Sequence, residues 1–387
     1  MVMDKYYFYR NPLFKVYATV QNGLVKMNTE GLVSPIFNSM VKDLMQMFDG
    51  TKPSVVEADR LIYSTWMPPI PSKPFDRLVS SQMGNMRGKY IPEQLTISIT
   101  EDCPNKCLHC ALPDTKNRAK LEPNIVRSII DQAQEVGTTL IIFDGGEPLL
   151  YAGLEELISH VDQERAIPGL FTSGVGLTVE KAQSLKEAGL YMLSVSLDSA
   201  HEEGHDLMRG RSGVFRDAMS AIRNGVEAGL FVNIYVVISP RNIHELDDFY
   251  QLAREAGVHE ISFFEIVPTG RWLDHTNEVL SVEDRKKFDD FVSYASMSAG
   301  PRIFPIPQVV GKMGCFAGRK WLHITPEGNV WPCSCLPLSY GNIHNDNLKT
   351  IWKKITEDPT FTGGKCLMRN SEFRRIRLGL NEQEEQN

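Results

Sequence analysis

Two clusters of cysteine residues are the clearest sign of chemistry in this chain of 387 residues. Cys103, Cys107 and Cys110 form the first cluster, and the other four of the seven cysteines lie between Cys315 and Cys366. Secreted disulfide frameworks are usually shorter and have an even cysteine count, so both clusters are interpreted as metal sites in a reducing compartment. Three thiolates at the first spacing can hold one face of a cubane iron–sulfur cluster and leave one iron without a protein ligand. Because an open iron can bind substrate, the first cluster is predicted to be catalytic.

A structural zinc ion is the alternative for the first cluster, with His109 or a distant residue as the fourth ligand. His109 directly precedes Cys110, however, and it would need a strained turn to bind the same ion. The three cysteines could also be reactive or purely structural thiols. The spacing favours the iron–sulfur cluster over these alternatives.

The first cysteine cluster lies in a region where apolar strands are predicted to alternate with amphipathic helices. Six βα units in a row require a parallel sheet with right-handed crossovers, either an open doubly wound sheet or a full or partial barrel. Catalytic groups of such folds collect at the carboxyl ends of the strands, and Cys103 follows the first strand. The predicted strands are 95–100, 139–144, 167–172, 191–197, 231–238 and 260–266. The predicted helices lie near 123–136, 153–162, 179–188, 213–229, 243–256 and 281–297.

Composition shifts divide the chain into segments. Residues 1–66 are predicted to form a small α+β domain, with a strand pattern around the turn Asn22-Gly23 and a helix that follows Ser34 and ends at Asp49-Gly50. A proline-rich run from Met67 to Pro74 opens a linker and lead-in. The remaining predicted segments are the linker and lead-in 67–94, the core 95–275, a connecting helix 276–300, and a cysteine-rich domain with a polar tail, 301–387.

Two motifs, in order, identify a family that the core resembles. Cys103-x-x-x-Cys107-x-x-Cys110, at the end of the first strand, resembles the signature of the radical S-adenosylmethionine (radical SAM) superfamily. One βα unit later, Asp144-Gly-Gly-Glu-Pro148 is similar to the glycine-rich motif of that family. Glycines after a strand would alone indicate only a turn, but the two motifs together are specific. The resemblance implies an α/β fold with a partial (β/α)6 TIM-type barrel and an iron–sulfur oxidoreductase.

The same resemblance implies a cosubstrate, S-adenosylmethionine (SAM). SAM would chelate the open iron of a [4Fe-4S] cluster, and an electron would release a 5′-deoxyadenosyl radical that abstracts hydrogen from the substrate. Glycines let a backbone approach a ligand closely, and with a carboxylate they can hold the ammonium group of SAM. The residues assigned to SAM are Gly145, Gly146, Glu147, Pro148, Ser173, Ser194, Ser196, Arg209 and Arg216.

Some of these assignments have a structural alternative. Arg209 or Arg216 would pair with the SAM carboxylate, but Asp198 and His205 could merely cap local structure while Arg209 is solvated. Arg271, after the sixth strand, could face the substrate or close the barrel.

The second cysteine cluster resembles the SPASM and twitch extensions of radical SAM enzymes, which carry auxiliary iron–sulfur clusters. No cysteine follows Cys366, so a twitch-like domain with one auxiliary cluster, a [4Fe-4S], is expected. In an extended strand Cys333 and Cys335 would point to opposite faces, so both can be ligands only if the chain turns at Ser334. A zinc ion or buried structural thiols are the alternatives. The four expected ligands are Cys315, Cys333, Cys335 and Cys366.

Charge and hydropathy narrow the function. The net charge of −7, from 41 basic and 48 acidic residues, gives no global electrostatic reason to bind nucleic acid. No apolar run is long enough to span a membrane, and the N-terminus lacks the pattern of an export signal. A cytoplasmic protein with no nucleic-acid partner and no membrane span is therefore predicted.

Three functions are consistent with these features. The first is an anaerobic radical SAM oxidoreductase that oxidises, crosslinks or epimerises a peptide or protein side chain, with residues 1–66 as a peptide-recognition module or a cap. The second is oxidative decarboxylation or side-chain removal on a tetrapyrrole (haem-type) precursor. The third is a non-catalytic iron–sulfur scaffold or electron carrier. Both enzymatic functions need an electron donor such as ferredoxin or flavodoxin. A local cationic patch for a tetrapyrrole could comprise Arg271, Arg319, Lys320, Arg369 and Arg374.

Overall fold

The computed structural model of the protein describes residues 4–32, 45–85, 88–112 and 118–380. It begins with an antiparallel sheet of strands β1 (Tyr6–Arg10), β2 (Lys15–Gln21) and β3 (Leu24–Glu30). Asn22 and Gly23 have φ angles of 51° and 78°, as the predicted two-residue turn requires. The helix predicted after Ser34 falls mostly on residues 33–44, outside the described part of the chain. A short antiparallel pair, β4 (Val55–Val56) with β5 (Leu61–Ile62), follows.

A nine-stranded sheet forms the centre of the structure. Its strands are β6 (Gln94–Thr100), β7 (Leu140–Gly145), β8 (Ile167–Thr172), β9 (Met192–Ser196), β10 (Phe231–Ile238), β11 (Glu260–Glu265), β12 (Arg302–Pro305), β13 (Trp321–Ile324) and β14 (Val330–Trp331). Their order is β12-β11-β10-β9-β8-β7-β6-β13-β14, and all neighbours are parallel except β13 and β14. The six predicted strands correspond to β6–β11. The predicted α/β class with a partial barrel is thereby confirmed.

Strands β12 and β13 extend the sheet beyond the six predicted units. Strand β12 pairs with β11, with Arg302 opposite Glu260. Strand β13 belongs to the C-terminal cysteine-rich region, yet it pairs in parallel with β6, with Trp321 opposite Gln94. Because of this pairing, the second cysteine cluster is attached to the strand that leads into the first.

The helices pack their apolar residues against the sheet. Four of them were not predicted: Lys73–Asn85, Glu202–Arg209, Ile306–Met313 and Ser371–Leu378. The first begins inside the proline-rich run, where Pro74 is tolerated because the first helical turn needs no amide partner. None of the described helices is long and apolar enough to cross a membrane. The described helices are Lys73–Asn85, Pro123–Val136, Leu154–His160, Val179–Glu187, Glu202–Arg209, Val214–Glu227, Leu246–Glu255, Val282–Ala295, Ile306–Met313, Leu348–Glu357 and Ser371–Leu378.

The N-terminal region has a core of its own and also enters the barrel. Phe8 packs against Phe48 and Phe75 at ring-centroid distances of 5.0 and 5.3 Å, in a cluster separate from the main core. Trp66, just after this region, contacts Phe171 of β8 and donates from its indole Nε1 to Ser262 Oγ of β11 at 2.8 Å. Since these partners lie on the inner face of the barrel sheet, Trp66 fills the lumen near the start of its strands.

Candidate active site

The first cysteine cluster lies in the loop after β6, where two backbone hydrogen bonds fix it. Lys106 N donates to Arg209 O and Leu108 N donates to Met208 O, both at 2.9 Å. These bonds attach the cysteine loop to the last turn of helix Glu202–Arg209. Cys107 is buried, and Cys103 and Cys110 are partly buried. The loop is therefore held at the carboxyl end of the strands, as predicted.

The electrostatics of these three thiols suit a cluster that supplies positive charge. Burial raises the pKa of Cys103 to about 11 and also raises that of Cys110, and the neighbouring Cys107 adds to both shifts. Bound iron would offset the cost of ionising these buried thiols, because the thiolate is the form that binds metal. Within the described residues, no three cysteine, histidine or carboxylate side chains are arranged to hold a single metal ion.

The glycine motif is pressed against the cysteine loop. Gly146 N donates to Thr100 O and Glu147 N donates to Asp102 O, each at 2.6 Å. A Cβ atom on Gly146 would lie 2.3 Å from Asp102 O, closer than any side chain allows. Gly146 is therefore required by packing against the loop that carries Cys103, in addition to any contact with a ligand.

Glu147 is a fully buried carboxylate without an ion-pair partner among the described residues. It accepts hydrogen bonds from Thr172 Oγ1 at 2.6 Å, from Ser173 N at 2.9 Å and from the Ser173 hydroxyl. Burial raises its pKa, and these hydrogen bonds act in the opposite direction. Leu149 N also donates to Oε1 at 3.2 Å, so four donors stabilise this carboxylate, and its contact with the ammonium group of SAM stays a prediction. Pro148 is buried directly beside it.

A buried ionic network lies behind the cysteine loop. Asp198 Oδ2 is 2.6 Å from Arg209 Nε and 2.9 Å from His109 Nε2. Burial opposes the ionisation of Asp198, but Arg209 and His109 hold its pKa well below the usual range. Arg209 Nη1 is also 3.8 Å from Cys107 Sγ. Arg209 is thus 8% exposed and engaged with the loop, so the alternative of a solvated arginine is wrong.

The remaining residues assigned to SAM are not all brought together. Ser196 is at the end of β9, whereas Ser194 is fully buried lower in the barrel and accepts a 2.9 Å hydrogen bond from Asn233 Nδ2. Arg216 has a 72% exposed side chain that pairs with Glu202 at 3.5 Å. Arg209, and not Arg216, is therefore the cation placed against the cysteine loop.

The four C-terminal cysteines line one small pocket. Leu336 N donates to Cys333 O at 3.2 Å, which closes the turn at Ser334 that sequence reasoning required. Cys333 and Cys335 consequently face the same pocket as Cys315 and Cys366. Burial raises the pKa of Cys335 to about 12 and that of Cys333 well above its usual value. Four partly buried thiols in one pocket fit a closed auxiliary cluster.

A cavity of about 270 Å³ lies between the barrel and these cysteines. Six of its lining residues are aromatic, and Arg369 is the one arginine or lysine among the described residues that line it. Asp144, directly before the glycine motif, also faces the cavity. Sequence reasoning missed Trp66 and Asp144 as site residues; the alternation of β7 could have placed Asp144 on the inner face, but no local signal marked Trp66. The aromatic residues of the cavity are Trp66, Phe171, Tyr235, Phe264, Phe316 and Trp321.

Two protein families match parts of this chain. The first match covers the region of the first cysteine cluster, and the second match covers the region of the second cluster. Residues 97–253 match the radical SAM superfamily, and residues 315–379 match the iron–sulfur cluster-binding domain called SPASM. Each match includes one complete cysteine cluster.

Two curated relatives act on different kinds of substrate, according to their names. The AdoMet-dependent heme synthase of Methanosarcina barkeri is 28% identical over 306 residues, which cover 71% of this chain and 87% of that protein. The PqqA peptide cyclase of Gluconobacter oxydans is 25% identical over 273 residues, which cover 67% of this chain and 76% of that protein.

A solved structure matches nearly the whole chain. Streptococcus suis SuiB bound to the precursor peptide SuiA superposes with a TM-score of 0.58 and 12% identity, covering 93% of this chain and 90% of that one. At this identity the similarity concerns the fold, including the region before the barrel.

Proposed function

Because the chain belongs to the radical SAM superfamily and carries a SPASM iron–sulfur domain, we propose that this enzyme modifies an amino acid side chain of a peptide or protein. Family membership confirms the predicted radical SAM enzyme, its SAM-binding [4Fe-4S] cluster and its auxiliary cluster domain. It also disfavours the non-catalytic scaffold. The peptide substrate is the new element of the proposal.

The composition of the cavity carries this proposal. A tetrapyrrole precursor bears several carboxylates and calls for several available cations, whereas Arg369 already donates to Glu265 Oε1 at 2.7 Å. A lining with six aromatic side chains and a single arginine suits an amino acid side chain better than a macrocycle with several carboxylates.

The cationic patch predicted for a tetrapyrrole is not assembled. Its members are engaged separately: Arg271 donates to Cys107 O, Arg374 to Met368 O and Lys320 to Gln82 Oε1. Arg319 makes longer contacts with Met313 O and Cys315 O. The name of the heme synthase relative supports the tetrapyrrole as the second candidate, and the engaged cations weigh against it.

Residues of the chain have distinct roles in the proposed reaction. The first three cysteines would hold the cluster, and SAM bound there would supply the hydrogen-abstracting chemistry once an external electron donor reduces the cluster. Arg209 stabilises negative charge at Cys107, and Glu147 provides the carboxylate for the SAM ammonium group. The buried aromatic cavity excludes water from the substrate side chain. The four C-terminal cysteines are proposed to hold one auxiliary cluster beside that cavity.

Mass spectrometry after anaerobic turnover tests the proposal. The reconstituted, reduced enzyme is given SAM with either a short peptide encoded beside its gene or an iron tetrapyrrole carboxylic acid. We expect a mass change in the peptide only, together with 5′-deoxyadenosine. The variant with Cys103, Cys107 and Cys110 all replaced by alanine is the control and should form neither product. Conversion of the tetrapyrrole alone would establish the second candidate instead.

A further inference from the structure

Asp144 is an unusual group for the wall of an aromatic cavity. It follows Ile142 on the inner face of β7, and it directly precedes the glycines of the SAM motif. Its Oδ1 accepts a 2.7 Å hydrogen bond from Ser98 Oγ on β6. Behind Ser98, His323 Nε2 of β13 lies 3.4 Å from the same hydroxyl. One hydroxyl donor leaves most of the acceptor capacity of a carboxylate unused.

One part of the cavity wall is a cluster of aromatic rings. Trp66 lies at its base, with ring centroids 5.6 Å from Phe171 and 6.0 Å from Tyr235. Phe171 and Tyr235 pack edge to face, with ring centroids 5.0 Å apart and an interplanar angle of 84°. The part of this cluster that faces the cavity can pack against a further aromatic ring.

The base of the cavity is held by the N-terminal region. Ser64 and Thr65 hydroxyls donate to Glu260 Oε1 at 3.1 and 2.8 Å, and Arg302 Nη1 donates to Glu260 Oε2 at 3.0 Å. Glu260 and Arg302 are buried, so this network fixes the two residues before Trp66 rigidly to the barrel. The indole of Trp66 therefore limits the depth of the cavity.

We propose that this cavity binds an aromatic side chain with a hydrogen-bond donor, with tyrosine as the best fit, and that Asp144 accepts the hydrogen bond from its hydroxyl. The inference rests on the proposed function and specifies its substrate class. Trp66 packs against the ring, and Asp144 distinguishes tyrosine from phenylalanine. A hydrogen bond to a carboxylate is stronger than one between neutral groups, and the partial burial of Asp144 limits the water that competes for it. Asp144 also adjoins the glycine motif, which places the bound ring beside the SAM site.

Binding of two matched probes tests the inference without relying on turnover. N-acetyl-L-tyrosinamide and N-acetyl-L-phenylalaninamide differ by one hydroxyl, and their dissociation constants for the reconstituted holoenzyme can be measured by ligand-observed NMR at pH 8. We expect the tyrosine probe to bind about tenfold more tightly. Asp144→Asn should reduce this preference to about twofold or less, mainly by weakening binding of the tyrosine probe.

Two controls separate the proposed contact from its neighbours. Asp131→Asn, an exposed change on helix Pro123–Val136, should leave the preference unchanged. Tyr235→Phe removes a hydroxyl of the cavity wall other than the proposed acceptor and should also keep the preference. Equal binding of the two probes to the wild-type enzyme, or loss of the preference in Tyr235→Phe but not in Asp144→Asn, would overturn the inference.

The same samples distinguish this inference from the proposed function. If the enzyme modifies a peptide at an aliphatic residue and shows no tyrosine preference, the inference fails while the proposed function stands. If the probes are discriminated as expected but the tetrapyrrole is the compound converted, the proposed function fails.

Discussion

The guanidinium of Arg209 lies between Asp198, 2.6 Å from its Nε, and the sulfur of Cys107, 3.8 Å from its Nη1. Asp198 orients the arginine, and the arginine places positive charge beside a cysteine that is expected to be a thiolate. The pair links the end of β9 to the cysteine loop. This connection makes the arginine a positioning element for the first cluster as well as a candidate for the SAM carboxylate.

Replacing Arg209 by glutamine should strongly impair the first cluster. The change removes the arginine partner of the buried Asp198 and the positive charge at Cys107, and breaking a buried pair costs about 3–5 kcal/mol. We expect 5′-deoxyadenosine formation to fall at least roughly tenfold, in an anaerobic assay with dithionite as reductant. Arg216→Gln is the matched control, since Arg216 is exposed, and it should retain activity within about twofold. Equal loss in both variants would contradict the assignment.

Replacing Gly146 by alanine should prevent assembly of the first cluster. The new Cβ would meet Asp102 O at 2.3 Å, so either the glycine motif or the cysteine loop must move. Iron analysis after reconstitution should show a loss of about four irons per chain. Gly311→Ala, where a Cβ meets nothing within 4 Å, should keep the wild-type iron content. A Gly146→Ala protein with full iron content would contradict the packing argument.

The number of clusters follows from the same kind of measurement. The variant with alanine at positions 103, 107 and 110 should retain about four irons per chain, held by the C-terminal cysteines. Cys335→Ser in that background should lower the retained iron, because the turn at Ser334 aims Cys335 into the pocket shared with Cys333. Unchanged iron in the Cys335→Ser protein would identify Cys335 as a free thiol.

Asp144 should make the stability of the metal-free chain depend on pH. Burial raises its pKa from 3.8 to about 6, so its favourable contribution is complete below pH 3.8 and is lost as the pH rises through 6. Asparagine at this position cannot ionise. The free energy of unfolding of Asp144→Asn, taken relative to wild type, should therefore be higher at pH 8 than at pH 5 by about 1 kcal/mol. The difference should appear as a Tm shift on the order of 1–2 °C. The neighbouring His323 should not contribute to the pH dependence of stability between pH 5 and pH 8. Burial lowers the pKa of His323 to about 4, so its imidazole stays neutral over this range.

A Tm difference between the two proteins that is the same at pH 5 and pH 8 would show that Asp144 titrates near its ordinary pKa. Glu187→Gln, at the exposed end of helix Val179–Glu187, serves as the reference for a simple loss of charge. Its effect should vary little across the same pH range.

Local sequence determined the chemistry of this protein and the elements that carry it. The two motifs and the apolar patterns involve residues that are close together in the sequence. The cysteine spacing and the glycine motif predicted the cofactors. The alternation of apolar strands with helices predicted the strands β6–β11. The helix Lys73–Asn85 escaped prediction because its first turn contains a proline, which local rules count as a break.

The tertiary structure alone decided which of these parts meet. Trp66 reaches β8, β10 and β11 across more than a hundred residues of chain, and β13 pairs with β6, which brings the four C-terminal cysteines to the barrel. The tertiary structure also places Arg209, and not Arg216, against Cys107, and it directs the side chain of Asp144 into the cavity. Strand pairing and cavity lining are long-range relationships set by the packing of the whole chain, whereas a local pattern specifies a face without specifying what lies opposite it.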